Sequence, residues 1–387
     1  MIAGELEALL EPLERFERIR RRAARLGPRL SDLSYANPYD RGHEPARAAI
    51  RAALDDERLL DLQYAPFGGQ TLARRAVAEA LADSHGLPFA YGDVILTTGA
   101  MAALQLALRS GGPGDEVVMP VPCWLDYPLY ARFHGLVPRA VPLAGDRFEL
   151  DVDALAAALG PRTRAVLLSH PANPTGRDYP CDQLAGLAEA LRSAQERFGN
   201  RITLIADETH RDYTPEGEHS SLATWFDRTL IVYSFGKYHL IQGQRLGYVA
   251  VSPRHPERDE AAQELVRWSR ITGMATPTAL MQRALPRLLA LRYDLSWVEE
   301  LRARFVQTLA GHGYEPVEPD STMFVYARTP ADWPDDFAFV EHLAGRGVLV
   351  LPAPLFHHRG YFRLALTGST EGLEGALATI GQAVTPA

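Results

Sequence analysis

Lysine is almost absent from this chain. Of its forty basic residues, thirty-nine are arginine and one is lysine, Lys237. Arg and Lys replace one another on most solvated faces, so a chain that has exchanged nearly all its lysine keeps one where guanidinium fails. Schiff-base chemistry is such a place: an ammonium can lose its proton and attack a carbonyl, whereas guanidinium stays protonated. Other scarcities exclude whole classes. The two cysteines, Cys123 and Cys181, lie far apart without metal-ligand spacing, which predicts free thiols in a reducing cytoplasm. The twelve histidines follow no zinc-type pattern, His357 and His358 being adjacent rather than one helical turn apart, so no metal site is expected. No stretch approaches the ~20 apolar residues of a membrane span, and the N-terminus has no signal-peptide core, so no membrane partner is expected. Positive charge is in deficit. A net charge of −8 and a pI near 5.9 argue against nucleic acid as a partner. The one dense basic run is Arg18, Arg20, Arg21, Arg22 and Arg25. It alternates with Glu14, Glu17, Ile19, Ala23 and Leu26 at helical spacing, which predicts a solvated helix face. Repeats and low-complexity tracts are also lacking.

What is present is organised around Lys237. A chain of 387 residues with 47% apolar content has room for two domains. The β-branched run 229–233 predicts a buried strand and places Lys237 just past its C-terminal end, where open α/β sheets hold ligands. Ser234 precedes the lysine and Arg245 follows it. A hydroxyl and a fixed cation flanking an amine suit a phosphorylated carbonyl compound. Apolar runs starting at 94, 117, 165, 202 and 246 predict further strands, and helical patterns cover 5–26, 44–60, 258–270 and 294–311. Runs 324–326 and 348–351 read as strands of a second, smaller unit. Gly99, Ala100 and Met101 open a helix directly after a strand, an arrangement that presents free amides and a positive dipole end to a phosphate. Arg363, in the apolar run 361–366, supplies a planar fork for a planar anion.

The segment from Ser234 to Tyr248 resembles the S-F-S-K-x(7)-R-x-G-Y signature of the fold-type I, pyridoxal-phosphate-dependent class I/II aminotransferases. Similar landmarks follow in order over nearly the whole chain. Leu33-Ser34-Tyr35-Ala36-Asn37-Pro38 resembles L-S-x-G-E-P, and Tyr64 to Gly69 resembles Y-x-P-x-x-G. Ala172-Asn173-Pro174-Thr175-Gly176 and the pair Asp207-Glu208 match directly, while Pro352 to Phe356 resembles P-G-x-x-F with Ala353 for glycine.

The resemblance implies an α/β fold, with a doubly wound, mostly parallel seven-stranded sheet in a large domain at 47–289. A smaller α+β domain would combine an N-terminal arm at 1–46 with a C-terminal domain at 290–387. It implies pyridoxal 5'-phosphate held by Lys237 as a Schiff base, with Gly99, Ala100, Met101, Ser234 and Arg245 at the phosphate. Tyr64 would reach the phosphate of a partner subunit, which requires a homodimer. Trp124 would stack on the pyridine ring and Asn173 would bond its phenolic oxygen. Asp207 would hold the pyridine nitrogen protonated, which makes the ring an electron acceptor. Arg363 and Asn173 would hold the substrate α-carboxylate, approached by the backbone at Ala36.

There are departures. His210 stands where the family has tyrosine after D-E-x, and near neutrality a histidine is able to carry charge or shuttle a proton. Ala36, Gly236 and Ala353 also differ. The expected enzyme is a cytoplasmic aminotransferase acting on an L-amino acid with a keto acid partner; the alternative is a pyridoxal-phosphate lyase or cyclase on the same fold. Tyr35, Tyr39, His43 and Glu44 are candidates to line a pocket for a polar or cationic substrate, and Arg270 for an anion contact from the partner chain.

Overall fold

The computed structural model describes residues 4–37, 44–55, 63–215, 219–274 and 276–384. Seven strands form the central sheet, in the spatial order Val94–Thr97, Gly247–Val251, Thr229–Ser234, Thr203–Asp207, Thr163–Ser169, Glu116–Val121, Val137–Pro142. All neighbours are parallel except Gly247–Val251, which runs antiparallel to both its partners. Alternation along each strand feeds two cores, because successive side chains leave opposite faces. Ile95, Met119, Leu167, Ile205, Val232 and Val249 enter one core with Leu104 and Leu265 from covering helices. Leu96, Ile231 and Ala250 enter a second, and Val118, Leu168 and Leu204 a third. Burial on both faces explains why these strands read as unbroken apolar runs.

Strand Val137–Pro142 has no such run, and the sequence reading assigns none there. It carries Pro138 and Pro142 and lies at the sheet's edge, where a missing N–H leaves no ladder bond unmade.

A four-stranded sheet places Phe324–Arg328 between Tyr361–Ala365 and Pro316–Val317, with Leu351–Pro352 on the far side of Tyr361–Ala365. The run 348–351, expected as one strand, divides between two sheets. Val348–Leu349 pairs in parallel with Ser31–Asp32, and Leu351–Pro352 pairs antiparallel to Tyr361–Ala365. The N-terminal helix Gly4–Ala23 buries Phe16, Ile19 and Ala23 in the same core as Phe305, Leu343, Phe362 and Ile380. Its apolar residues recur at helical spacing, and Phe16, with no exposed surface, contributes about 1.5–3 kcal/mol. On the opposite side Arg18, Arg21, Arg22 and Arg25 are exposed, the solvated face that the spacing predicts.

Helix Glu44–Asp55 packs on Ala279–Leu289 through Ala46, Ala49 and Ala53; the rest of the expected helix lies outside the described residues. The expected helix 294–311 begins at Ser296. Among the described residues no helix is long and apolar enough to cross a membrane.

Candidate active site

The C-terminal ends of the parallel strands converge on Lys237. It sits on the one-turn helix Phe235–Tyr238, directly after strand Thr229–Ser234, and Ser234 caps that turn by accepting from the Gly236 N–H at 3.3 Å. A Cβ on Gly236 would lie 3.0 Å from the Gln242 Cα, so the chain's departure at this position matches a tight backbone crossing. Tyr213 donates to the Lys237 carbonyl at 3.0 Å and fixes the turn from below. Loss of water around the ammonium, reinforced by Arg363 and Arg245 and opposed by Asp207, lowers the Lys237 pKa to about 8. A free amine is therefore accessible near neutrality.

One wall is suited to a phosphate. Strand register sets both Thr97 and Ser234 opposite Gly247. Gly99 follows with φ +92°, a conformation that L side chains rarely adopt, and opens helix Ala100–Ala107. A Cβ at Gly99 would lie 2.8 Å from Arg245 Nη2, so the glycine makes room for the guanidinium. Arg245 is itself left-handed, φ +49°, and donates to the Gln242 carbonyl at 2.9 Å while remaining exposed. The structure thus brings Ser234, Gly99, Ala100 and Arg245 to one corner, with Met101 partly exposed on the helix's first turn. Tyr64 is fully exposed.

The floor is built on Asp207, the last residue of Thr203–Asp207. Its Oδ2 accepts from the Tyr127 hydroxyl at 2.6 Å and its Oδ1 from the Thr209 N–H at 3.1 Å. Burial raises this carboxyl's pKa, and the bonds from Thr209 and Tyr127 pull the other way. Tyr127 escapes the sequence reading, since nothing local signals a partner eighty positions away.

Trp124 is half-buried on the segment after strand Glu116–Val121, held there by Cys123 N–H donating to the Phe356 carbonyl at 3.1 Å. His210 follows Asp207 by three positions, is buried, and leaves Nδ1 without a hydrogen-bond partner. Its ring meets Phe324 edge-on at 5.1 Å. Burial, with Lys237 and Arg363 nearby, drives its pKa well below the ordinary value. Of the two roles open to this histidine, carrying charge near neutrality or shuttling a proton, this environment opposes the first.

The opposite wall carries Arg363, from the middle of Tyr361–Ala365 and 1% exposed. Nη1 donates to Asn173 Oδ1 at 2.8 Å and Nη2 to the Ser34 carbonyl at 2.6 Å. The guanidinium stands over Phe324 at 4.1 Å and Phe356 at 5.0 Å. Its Nε has no partner, and among the described residues no carboxylate pairs with it. A buried cation held only by neutral oxygens and aromatic faces is set for an incoming anion. Ala36 is buried beside this wall, its carbonyl accepting from Gln242 Nε2 at 2.7 Å.

Tyr35 is half-buried and bonds Glu17 at 3.3 Å, while Glu44 is exposed; Tyr39 and His43 lie outside the described residues. Arg270 stands over Phe67 at 5.3 Å. The deprotonable amine, the glycine-lined corner, the buried carboxylate and the unpaired Nδ1 and Nε together fit a phosphorylated pyridine aldehyde and a carboxylate-bearing substrate.

The family model for aminotransferase class I and II matches residues 32–380. The chain belongs to that family. It is 32% identical to a probable aspartate/prephenate aminotransferase of Thermus aquaticus over 93% of each chain. Among solved structures, an amino transferase of Eubacterium rectale superposes with a TM-score of 0.88 at 25% identity, over 99% of this chain and 98% of that one. The aspartate aminotransferase of Thermus thermophilus, solved with maleate, gives 0.84 at 27% identity over 95% and 96%. This is a pyridoxal-phosphate-dependent aminotransferase with the α/β fold of the aspartate aminotransferases. The relatives named here carry aminotransferase names, which does not favour a lyase or cyclase.

Proposed function

We propose that Lys237 is the residue that carries pyridoxal phosphate and that Arg363 receives the α-carboxylate of an L-amino acid. The observation behind this is the isolation of two groups: the one ε-amine of the chain, lowered to about 8, and a buried arginine without a carboxylate partner among the described residues. When bound, the cofactor supplies an aldehyde for the amine and a ring that takes up electron density from the substrate Cα.

The chain's own residues do the rest. Ser234, Arg245 and the amides of Gly99, Ala100 and Met101 hold the phosphate. Trp124 would pack against the ring, and Asp207, oriented by Tyr127, would hold a proton at the pyridine nitrogen. Asn173 and His210 reach the phenolic oxygen, His210 as a neutral group. Arg363, braced by Asn173 and Ser34, fixes the substrate so that its Cα hydrogen faces Lys237, and Ala36 closes on the carboxylate. Lys237, its ε-amine free, would take up the Cα proton of the substrate and hold it for return.

Tyr64, fully exposed, fits a reach to a second subunit's phosphate, and such a reach requires a homodimer. The large unit spans 47–289, with the small unit drawn from 1–46 and 290–387. Aspartate and prephenate, in the relatives' names, are the first substrates to try. Incubation of the loaded enzyme with single amino acids tests the reaction. Transamination predicts keto acid equimolar with pyridoxamine phosphate; ammonia release with the aldehyde form retained contradicts it.

A further inference from the structure

Next to Asp207, Glu208 is fully buried in a second cluster of ionisable groups. Its carboxylate accepts from Ser221 Oγ at 2.5 Å and faces His85 Nε2 at 3.1 Å, Arg211 Nη1 at 3.4 Å and His219 Nε2 at 3.6 Å. The cluster continues past His219. The His219 and His170 rings lie 5.0 Å apart, and His170 Nε2 is 3.3 Å from Asp178 Oδ1. One ligand atom from each of His170, Asp178 and His219 lies within 4.8 Å of the other two. The His170 side chain has no exposed surface, and among the described residues neither its Nε2 nor the Nδ1 of His219 has a hydrogen-bond partner. A buried ring nitrogen that nothing answers is destabilising, so such nitrogens are normally paired.

We propose that His170, Asp178 and His219 form a binding site for one divalent transition-metal ion of the zinc type. Tetrahedral zinc with bonds of about 2.0–2.1 Å sets its ligand atoms roughly 3.3 Å apart. The His170–Asp178 edge has that length already, and the ligand atoms of all three residues lie within 4.8 Å of one another. The surroundings suit ligation. With His219 Nε2 directed at Glu208, Nδ1 is left for the ion, and a carboxylate behind a ligating histidine is the usual outer partner. Asp178 Oδ2 accepts from the Thr214 hydroxyl at 2.8 Å, which leaves Oδ1. His170 Nδ1 takes the Tyr179 N–H at 3.4 Å, a long contact that is given up when metal takes Nε2 and the ring proton moves to Nδ1.

Two imidazoles and one carboxylate select zinc, cobalt or nickel over magnesium or calcium, with water in the fourth place. The ion would tie the 170–178 segment, which carries Asn173, to the segment beyond Glu208. Local sequence spacing does not register the set because a helix and a strand, Cys181–Phe198 and Thr203–Asp207, lie between Asp178 and His219.

The test dialyses the cofactor-loaded enzyme against Zn²⁺, then against metal-free buffer, and measures bound metal and Tm. One zinc per chain with a raised Tm is expected. In His219→Ala and in Asp178→Asn, each checked for folding by its bound-cofactor absorbance, retention should fall by about 10-fold or more. Cobalt in place of zinc should give a tetrahedral visible spectrum that both substitutions abolish. A wild-type chain that keeps no metal, or variants that keep as much as it does, overturns the site.

Discussion

Arg363 and Glu208 are both buried and both charged, yet their surroundings are opposite. Glu208 sits among His85, Arg211, His219 and the Ser221 hydroxyl; burial alone would raise its pKa, and these partners outweigh burial and hold it well below the carboxylate range. Arg363 has an amide oxygen, a backbone carbonyl and two aromatic faces, but no carboxylate among the described residues. Burial lowers its pKa, and the phenols of Tyr35 and Tyr326 oppose this. A charge answered within the chain supports the fold. One left unanswered is kept for something that arrives from outside.

Replacing Lys237 by Arg separates charge from chemistry and should have the largest effect. Turnover should fall by about 10⁴-fold or more with little change in Tm, read from steady-state kinetics and a melting curve. Next comes Glu208→Gln, which removes a compensated charge. It should lower stability by about 3 kcal/mol in denaturant titration while activity per folded molecule survives. Because the folded pKa of Glu208 lies below the ordinary 4.5, its contribution is present above that value and lost as pH falls below it. The matching change, Arg363→Gln, should do the reverse. KM for the amino acid should rise roughly 100-fold, while Tm stays level or rises, since an uncompensated buried cation is gone. An Arg363→Gln protein that melts earlier with KM intact would erase the contrast.

Tyr127→Phe should be milder, a loss of about 1 kcal/mol, or severalfold in rate, because Asp207 keeps its bond from Thr209. Smallest is the pH effect on loading. Attachment of pyridoxal phosphate to the apoprotein should accelerate as pH rises through about 8, rather than near the 10.5 of an ordinary lysine.

Much of this was legible in the residues, for identifiable reasons. Strands buried on both faces show as apolar runs, and Asp207 and Lys237 sit at and just past the ends of two of them. Strand Val137–Pro142 was hidden by its prolines, which an edge tolerates. The break at Val350 was hidden because a pairing change leaves no mark on composition. Tyr127 and the His170, Asp178 and His219 cluster join residues through tertiary packing alone. The neutrality of His210 likewise follows from burial and from two cations brought by distant segments.

Borohydride reduction of the cofactor-loaded enzyme followed by peptide mapping tests the central assignment most directly, since the chain offers a single ε-amine. One reduced cofactor per chain on the peptide containing Lys237 is the predicted result. A loaded, active enzyme whose Lys237 peptide comes back unmodified would contradict it.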